Sequence, residues 1–239
     1  MKMKRIKEEK KTELEATEER KEGLTELVFI IDKSGSMSGF EADTVGGFNS
    51  MIEKQRAEGG EVLVSTVLFD NESEAVHDRV PIQKIVPMTR ADYRVGGCTA
   101  LLDAVGGAIR HIGNVHKYAR REDVPQNTVF VITTDGMENA SRSFDSARVH
   151  AMIERQREKY GWEFIFLAAN IDAIETAEHI GIRRERAANY SQSSDGYEAC
   201  FSAMSSFVSS VRSAPVASDD DSWKASLGGD SAFKTKKKK

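Results

Sequence analysis

Leu24-Thr25-Glu26-Leu27-Val28-Phe29-Ile30-Ile31-Asp32-Lys33-Ser34-Gly35-Ser36-Met37 is an apolar run that stops abruptly at an acid and two serines. A short stretch this rich in Leu, Val, Ile and Phe marks a strand buried on both faces, the kind found in parallel sheets covered by helices. Side chains alternate along an extended chain. If the backbone leaves the strand still extended, positions 32, 34 and 36 project to one side and three oxygen-bearing groups converge at the strand's carboxyl end.

The same grammar repeats down the chain. Glu61 to Phe69, Thr128 to Thr134 and Trp162 to Ala169 read as further buried strands. Phe40 to Glu58, Ala100 to Ala119, Phe144 to Tyr160, Asp172 to Ile180 and Ser193 to Val211 place apolar residues at intervals of three and four, the spacing of amphipathic helices. Glu74 to Val80, stopped by Pro81, reads as one more strand that follows its predecessor across Asp70-Asn71 as a hairpin. These patterns predict an α/β fold: a doubly wound, mostly parallel central sheet with one antiparallel edge strand and helices on both faces. Gly46-Gly47 and Gly106-Gly107 sit inside helical patterns, where each glycine costs about 1 kcal/mol against Ala; close packing of helix against sheet is the expected reason.

The flanks differ from this core. Residues 1–22 are mostly charged, with eight Lys/Arg against seven Glu, and read as a charged N-terminal extension. Residues 213–239 shift to Ser, Asp, Gly and Lys, end in Lys236 to Lys239, and read as a low-complexity, disordered Lys-rich tail, the other reading being a partner-docking peptide or an anionic-surface contact. One domain is expected over 23–212. With +1 on the first flank and +2 on the second, the formal net charge of -4 leaves -7 on that domain. An acidic domain is a poor nucleic-acid binder, because phosphate contacts need clustered Lys and Arg, and it suits cations. No apolar run approaches the roughly 20 residues of a membrane span; the longest are Leu27 to Ile31 and Phe164 to Ala169. Lys2, Lys4, Arg5 and Lys7 are followed by Glu8, Glu9, Lys10 and Lys11 where a secretory signal needs an apolar segment, so a cytoplasmic protein is expected. Cys98 and Cys200 cannot make a disulfide framework and read as reduced thiols.

The strand at Thr128 to Thr134 ends in Asp135-Gly136. In a doubly wound sheet the carboxyl ends of parallel strands open onto one crevice, so Asp135 should face Asp32. Gly96-Gly97-Cys98-Thr99 precedes a helix and can present the Thr99 hydroxyl at the same edge. Two carboxylates and three hydroxyls would then meet. Two such carboxylates repel unless one is protonated or a cation lies between them. Carboxylate and hydroxyl oxygens are hard ligands that favour Mg²⁺ or Mn²⁺ over zinc, and Mg²⁺ keeps waters where a protein offers few charged groups, which leaves an open coordination position.

Asp32-x-Ser34-x-Ser36, Thr99 and Asp135 resemble the metal-ion-dependent adhesion site of the von Willebrand factor A family, in five positions on three separated loops in the right order. The pattern covers roughly residues 24–212. The resemblance implies that Ser34 and Ser36 bind the metal directly, that Asp32 and Asp135 act directly or through water, and that Thr99 switches between the two. It also implies a protein partner that offers a Glu or Asp to the metal. Thr133-Thr134-Asp135-Gly136 and Trp162 to Asn170, followed by Asp172, resemble bacterial intracellular members of the family. The function expected is a divalent-cation-dependent protein-binding module in an intracellular assembly, not an enzyme.

Other chemistries fit less well. An EF-hand loop from Asp32 would put Met37 where Gly is needed and Asp43 where Glu belongs. Gly35-Ser36-Met37-Ser38-Gly39 has Met where a nucleophile elbow needs Ser, and no P-loop pattern occurs. The five His residues, at 77, 111, 116, 150 and 179, show no metal spacing and read as surface or satisfied core residues. The enzymatic alternative is a Mg²⁺-dependent hydrolase acting on a phosphoryl or carbonyl substrate; it lacks a base tied to the site. Cys98 reads as a small buried residue in a tight loop rather than a redox-sensitive neighbour. Arg94, Met37 and Phe40 flank the site loops and form either an interface rim or ordinary loop packing.

Overall fold

A computed structural model describes residues 21–214 and 220–227. Six strands form one sheet: β1 (Lys21–Asp32), β2 (Glu61–Phe69), β3 (Ser73–Pro81), β4 (Pro125–Thr134), β5 (Glu163–Ala168) and β6 (Ala187–Asn189). Their order is β3-β2-β1-β4-β5-β6, with every pair parallel except the β2–β3 hairpin at the edge. Helices α1 (Glu41–Ala57), α2 (Leu101–Tyr118), α3 (Ser146–Tyr160), α4 (Ala173–His179) and α5 (Ser194–Ser213) complete the doubly wound arrangement. This is the mostly parallel α/β sheet with one antiparallel edge strand that the alternating patterns predict.

Alternation along β1 explains the two layers. Leu27, Phe29 and Ile31 join the core under α1 and α5, while Val28 and Ile30 join the core under α2, α3 and α4. The central strand is therefore apolar at nearly every position. One exception is Glu26, fully buried on the α2 side, where Arg79 Nε donates to it at 2.7 Å and His116 Nε2 lies 2.5 Å away. His116 is thus a satisfied core histidine.

Several expectations change. Gly47 packs against a helix, not the sheet: a Cβ there would meet the Phe201 ring of α5 at 2.1 Å. Gly106 likewise lies against the Phe144 ring, at 2.5 Å. Sequence patterning does not reveal β6, because Ala187-Ala188-Asn189 has neither the length nor the β-branched residues of a strand.

The flanks lie largely outside the described residues. β1 starts at Lys21, which pairs with Pro125, so the last two residues assigned to the N-terminal extension belong to the sheet. On the other side, Ser222–Leu227 forms a 3-10 turn whose Trp223 is buried against Phe207, with ring centroids 5.7 Å apart. Arg186 NH1 donates to Asp220 O at 2.6 Å beside it. This part of the segment read as a disordered tail packs on the domain, since an indole ring removes some 150–250 Å² from water and offsets the ordering of one short turn.

Candidate functional site

The carboxyl end of β1 does not continue extended. Gly35–Met37 is a 3-10 turn, closed by Met37 N donating to Ser34 O at 3.0 Å. Asp32 sets the turn by accepting from Ser34 N at 2.7 Å through Oδ1. The turn still brings the two serines together: their hydroxyl oxygens lie 3.0 Å apart. Convergence thus comes from a tight turn rather than from strand alternation, and turns of this kind are favoured by Asp and Ser side chains that bond nearby backbone.

The loop before α2 is tied to this one by backbone. Gly35 N donates to Gly97 O at 3.1 Å and Gly96 N donates to Lys33 O at 2.9 Å, which sets Thr99 beside the turn. Helix α2 has no side-chain cap of its own; Leu102 N donates to Glu138 Oε2 at 2.9 Å and Asp103 N donates to Ser141 Oγ at 3.0 Å. Asp103 returns the contact by accepting from the backbone N–H groups of Arg142, Ser143 and Phe144 at 2.8–2.9 Å. The loop that follows β4 is in this way clamped to the helix that follows Thr99, through helix-end donors that need a partner.

At the centre, Ser36 Oγ donates to Asp135 Oδ1. Gly136 locates the third hydroxyl: a Cβ there would come within 3.1 Å of Thr99 Oγ1 and 3.4 Å of Ser36 Oγ. All five residues expected at the site, Asp32, Ser34, Ser36, Thr99 and Asp135, are gathered at the carboxyl edge of the sheet. Asp32, Ser34, Thr99 and Asp135 are buried, and Ser36 faces solvent.

Burial pushes the Asp32 carboxyl above the ordinary range; bonds from Thr134 and Ser34 oppose the shift and the charge of Asp135 adds to it. Burial raises Asp135 too, opposed by the bonds from Ser36 and Gln192. The groups that bond these carboxylates are hydroxyls, backbone N–H and a neutral amide, none of which carries a compensating positive charge. Among the described residues, no group of three or more His, Cys, Asp or Glu is placed to hold a metal; the oxygen groups gathered here come from two acids and three alcohols. Such a set fits a hard divalent cation, Mg²⁺ or Mn²⁺, and not zinc.

Three contributors escape sequence reasoning. Thr134 Oγ1 donates to Asp32 Oδ2 at 2.5 Å, Tyr93 OH donates to Asp32 O, and Gln192 Nε2 donates to Asp135 Oδ2 at 2.8 Å. Thr134 was within reach, as the last strand residue before Asp135. Tyr93 lies in an irregular segment with no periodicity, and Gln192 follows the strand that the sequence pattern does not show. The flanking residues sort themselves clearly. Met37 is buried and accepts from Tyr197 OH at 3.4 Å, and Phe40 stacks on Tyr197 with centroids 4.8 Å apart, so both are loop packing. Arg94 is exposed. Cys98 is exposed rather than buried, because its loop turns it outward while its N–H is held by Asn71 Oδ1 at 2.5 Å.

The arrangement defines a class: a doubly wound α/β domain that presents two acids and three alcohols from three strand-end loops. Its fold is that of the von Willebrand factor A domain. A structure described as von Willebrand factor type A from Catenulispora acidiphila superposes with a TM-score of 0.51 at 13% identity, over 77% of this chain and 42% of that one. Proximal thread matrix protein 1 from the mussel byssus matches with a TM-score of 0.51 at 13% identity, over 78% of this chain and 46% of that one. The chain therefore spans less than half the length of these neighbours. No protein-family model matches the chain, and no curated protein does.

Proposed function

We propose that the domain is a divalent-cation-dependent protein-binding module. Asp32, Ser34, Ser36, Thr99 and Asp135 hold Mg²⁺ or Mn²⁺, in the manner of the metal-ion-dependent adhesion site of bacterial intracellular von Willebrand factor A proteins. The observation that carries this reading is the bonding of Ser36 Oγ to both Ser34 Oγ and Asp135 Oδ1, beside a buried Asp32 that has no cationic partner among the described residues. A bound cation would neutralise the two acids and offer an open position to a Glu or Asp of the partner. The chain's own contribution is to keep the acids buried and the hydroxyls aimed at one point, with the exposed Ser36 and the exposed Met137 at the mouth. The same reading puts the module in the cytoplasm, within a larger assembly, with no nucleic-acid partner.

A metal-dependent hydrolase is the weaker reading, because the groups bonded to the two acids do not include a general base. The test is retention of a partner in Mg²⁺ by the wild-type chain and its loss in EDTA, in Asp32→Ala and in Ser34→Ala. Thr99→Ala should keep the fold and weaken the partner. A metal-dependent turnover of phosphoesters or peptides that vanishes in these variants would replace the module reading with the hydrolase.

A further inference from the structure

Gln192 reaches the site from a fourth loop. Its Nε2 donates to Asp135 Oδ2 at 2.8 Å and to Ser36 O at 3.3 Å, so one amide bridges the loops after β1 and β4. Both partners are acceptors, which fixes the amide's orientation and turns Oε1 the other way. There it accepts from Asn170 Nδ2 at 2.8 Å. Asn170 has φ +58, in the left-handed region that Asn tolerates better than most residues.

The loop that carries Gln192 is held on both sides. Tyr190 N donates to Ala168 O at 3.0 Å, and Tyr190 is buried. Ser193 caps α5 by accepting from Gly196 N at 3.1 Å. Asn189 Nδ2 donates to Ile171 O at 2.6 Å, which ties the same edge to the loop of Asn170. The amide is therefore presented from a fixed place rather than from a loose side chain on a free loop.

We propose that Gln192, oriented by Asn170, is the positioning residue of the cation site. It holds Asp135 by Oδ2, so that Oδ1 faces the Ser36 hydroxyl and the interior of the site. This rests on the cation reading given above. Groups that orient a metal's carboxylate ligands set affinity without touching the metal, and their loss typically weakens binding about 10- to 100-fold.

The experiment titrates Mn²⁺ into the metal-stripped full chain, following free Mn²⁺ by electron paramagnetic resonance, with thermal melts of the same samples. Gln192→Ala is expected to raise the Kd about tenfold while the metal-free melt stays near that of wild type. Asn170→Gly, which keeps the backbone conformation accessible and deletes the donor to Oε1, should raise it less, and should add nothing to Gln192→Ala. Gln192→Glu sets a third carboxylate against Asp135; it should melt below wild type without metal and gain more from Mn²⁺ than wild type does. An unchanged Kd in Gln192→Ala overturns the assignment and leaves the cation reading standing. A lowered metal-free melt with that unchanged Kd marks a purely structural role and also overturns it. Failure of the wild-type chain to bind Mn²⁺ overturns both.

Discussion

Strand β1 carries two fully buried acids, Glu26 at its middle and Asp32 at its end, and they are handled in opposite ways. Glu26 has Arg79 and His116 against its two oxygens. Asp32 has a threonine hydroxyl and a backbone N–H, and its nearest acidic neighbour, Asp135, has a serine and a glutamine. A buried carboxylate is costly unless it is paired, so a protein that only needs stability supplies the counter-charge itself. At the middle of β1 this chain does so; Arg79, which bonds Glu26, adopts φ +52 in a bulge of β3. At the carboxyl end it collects acids and alcohols, and among the described residues no cationic side chain bonds Asp32 or Asp135; the adjacent Lys33 pairs with Asp70 and Glu74 instead. On the function proposed above, the contrast separates a structural ion cluster from a place prepared for an external positive charge.

The comparison can be broken at its structural side with the largest effect. Arg79→Ala keeps a non-glycine residue at the strained position and leaves Glu26 with His116 alone; urea unfolding should show a loss of about 3 kcal/mol, the low end for removing one member of a buried pair. Mg²⁺ should not restore it. A loss below about 1 kcal/mol would mean that His116 suffices, and that the two acids differ less than their geometry indicates.

The carboxyl end should respond to metal. Mg²⁺ at a hundredfold excess over its Kd stabilises the folded state by about 2.7 kcal/mol. For a domain of this size that is about 5–10 °C between melts in Mg²⁺ and in EDTA. Asp32→Ala should lose this gain and Arg79→Ala should keep it. A gain that survives Asp32→Ala would place the cation elsewhere.

How far this contrast can be read from the sequence depends on what generates each part. Asp32, Ser34, Ser36, Thr99 and Asp135 stand at or just after strand ends or before a helix start, where sheet topology assigns positions without any knowledge of side-chain contacts, although the turn that joins the two serines is not the extended run that alternation predicts. The sheet is legible for the same reason, since β1, β2, β4 and β5 are apolar runs long enough to be distinctive. Glu26 looks like a lapse in such a run, because its partners come from a bulge 53 residues away and from the far end of α2. Gln192 depends on β6, three small residues whose only strand signal is their pairing with β5. Trp223 sits in a composition typical of disorder, and a single aromatic anchor does not alter a compositional average.

The smallest effect gives the most specific test of the site in the absence of metal. Both acids have their folded values raised above the ordinary 3.8 by burial, with the charge of Asp135 also acting on Asp32. The folded state then binds protons more tightly than the unfolded one. The contribution of these two groups to stability in EDTA should therefore be greatest below the ordinary carboxylate value and fall as pH climbs through it toward the folded values, opposite in sign to that of acids such as Asp103, whose value backbone N–H bonds lower. Asp135→Asn removes one of the two charges and retains the local bonds: its Oδ1 can still accept from Gln192, and its Nδ2 can donate to Ser36, whose hydroxyl turns to accept. In EDTA this variant should lose less stability between pH 4 and 7 and end about 1 kcal/mol above wild type, the worth of somewhat less than one pKa unit. In Mg²⁺ the order should invert, because the variant offers the cation one charge where wild type offers two. If Asp135→Asn instead melts well below wild type in EDTA at neutral pH, the two acids do not oppose each other, and the external cation loses its electrostatic reason.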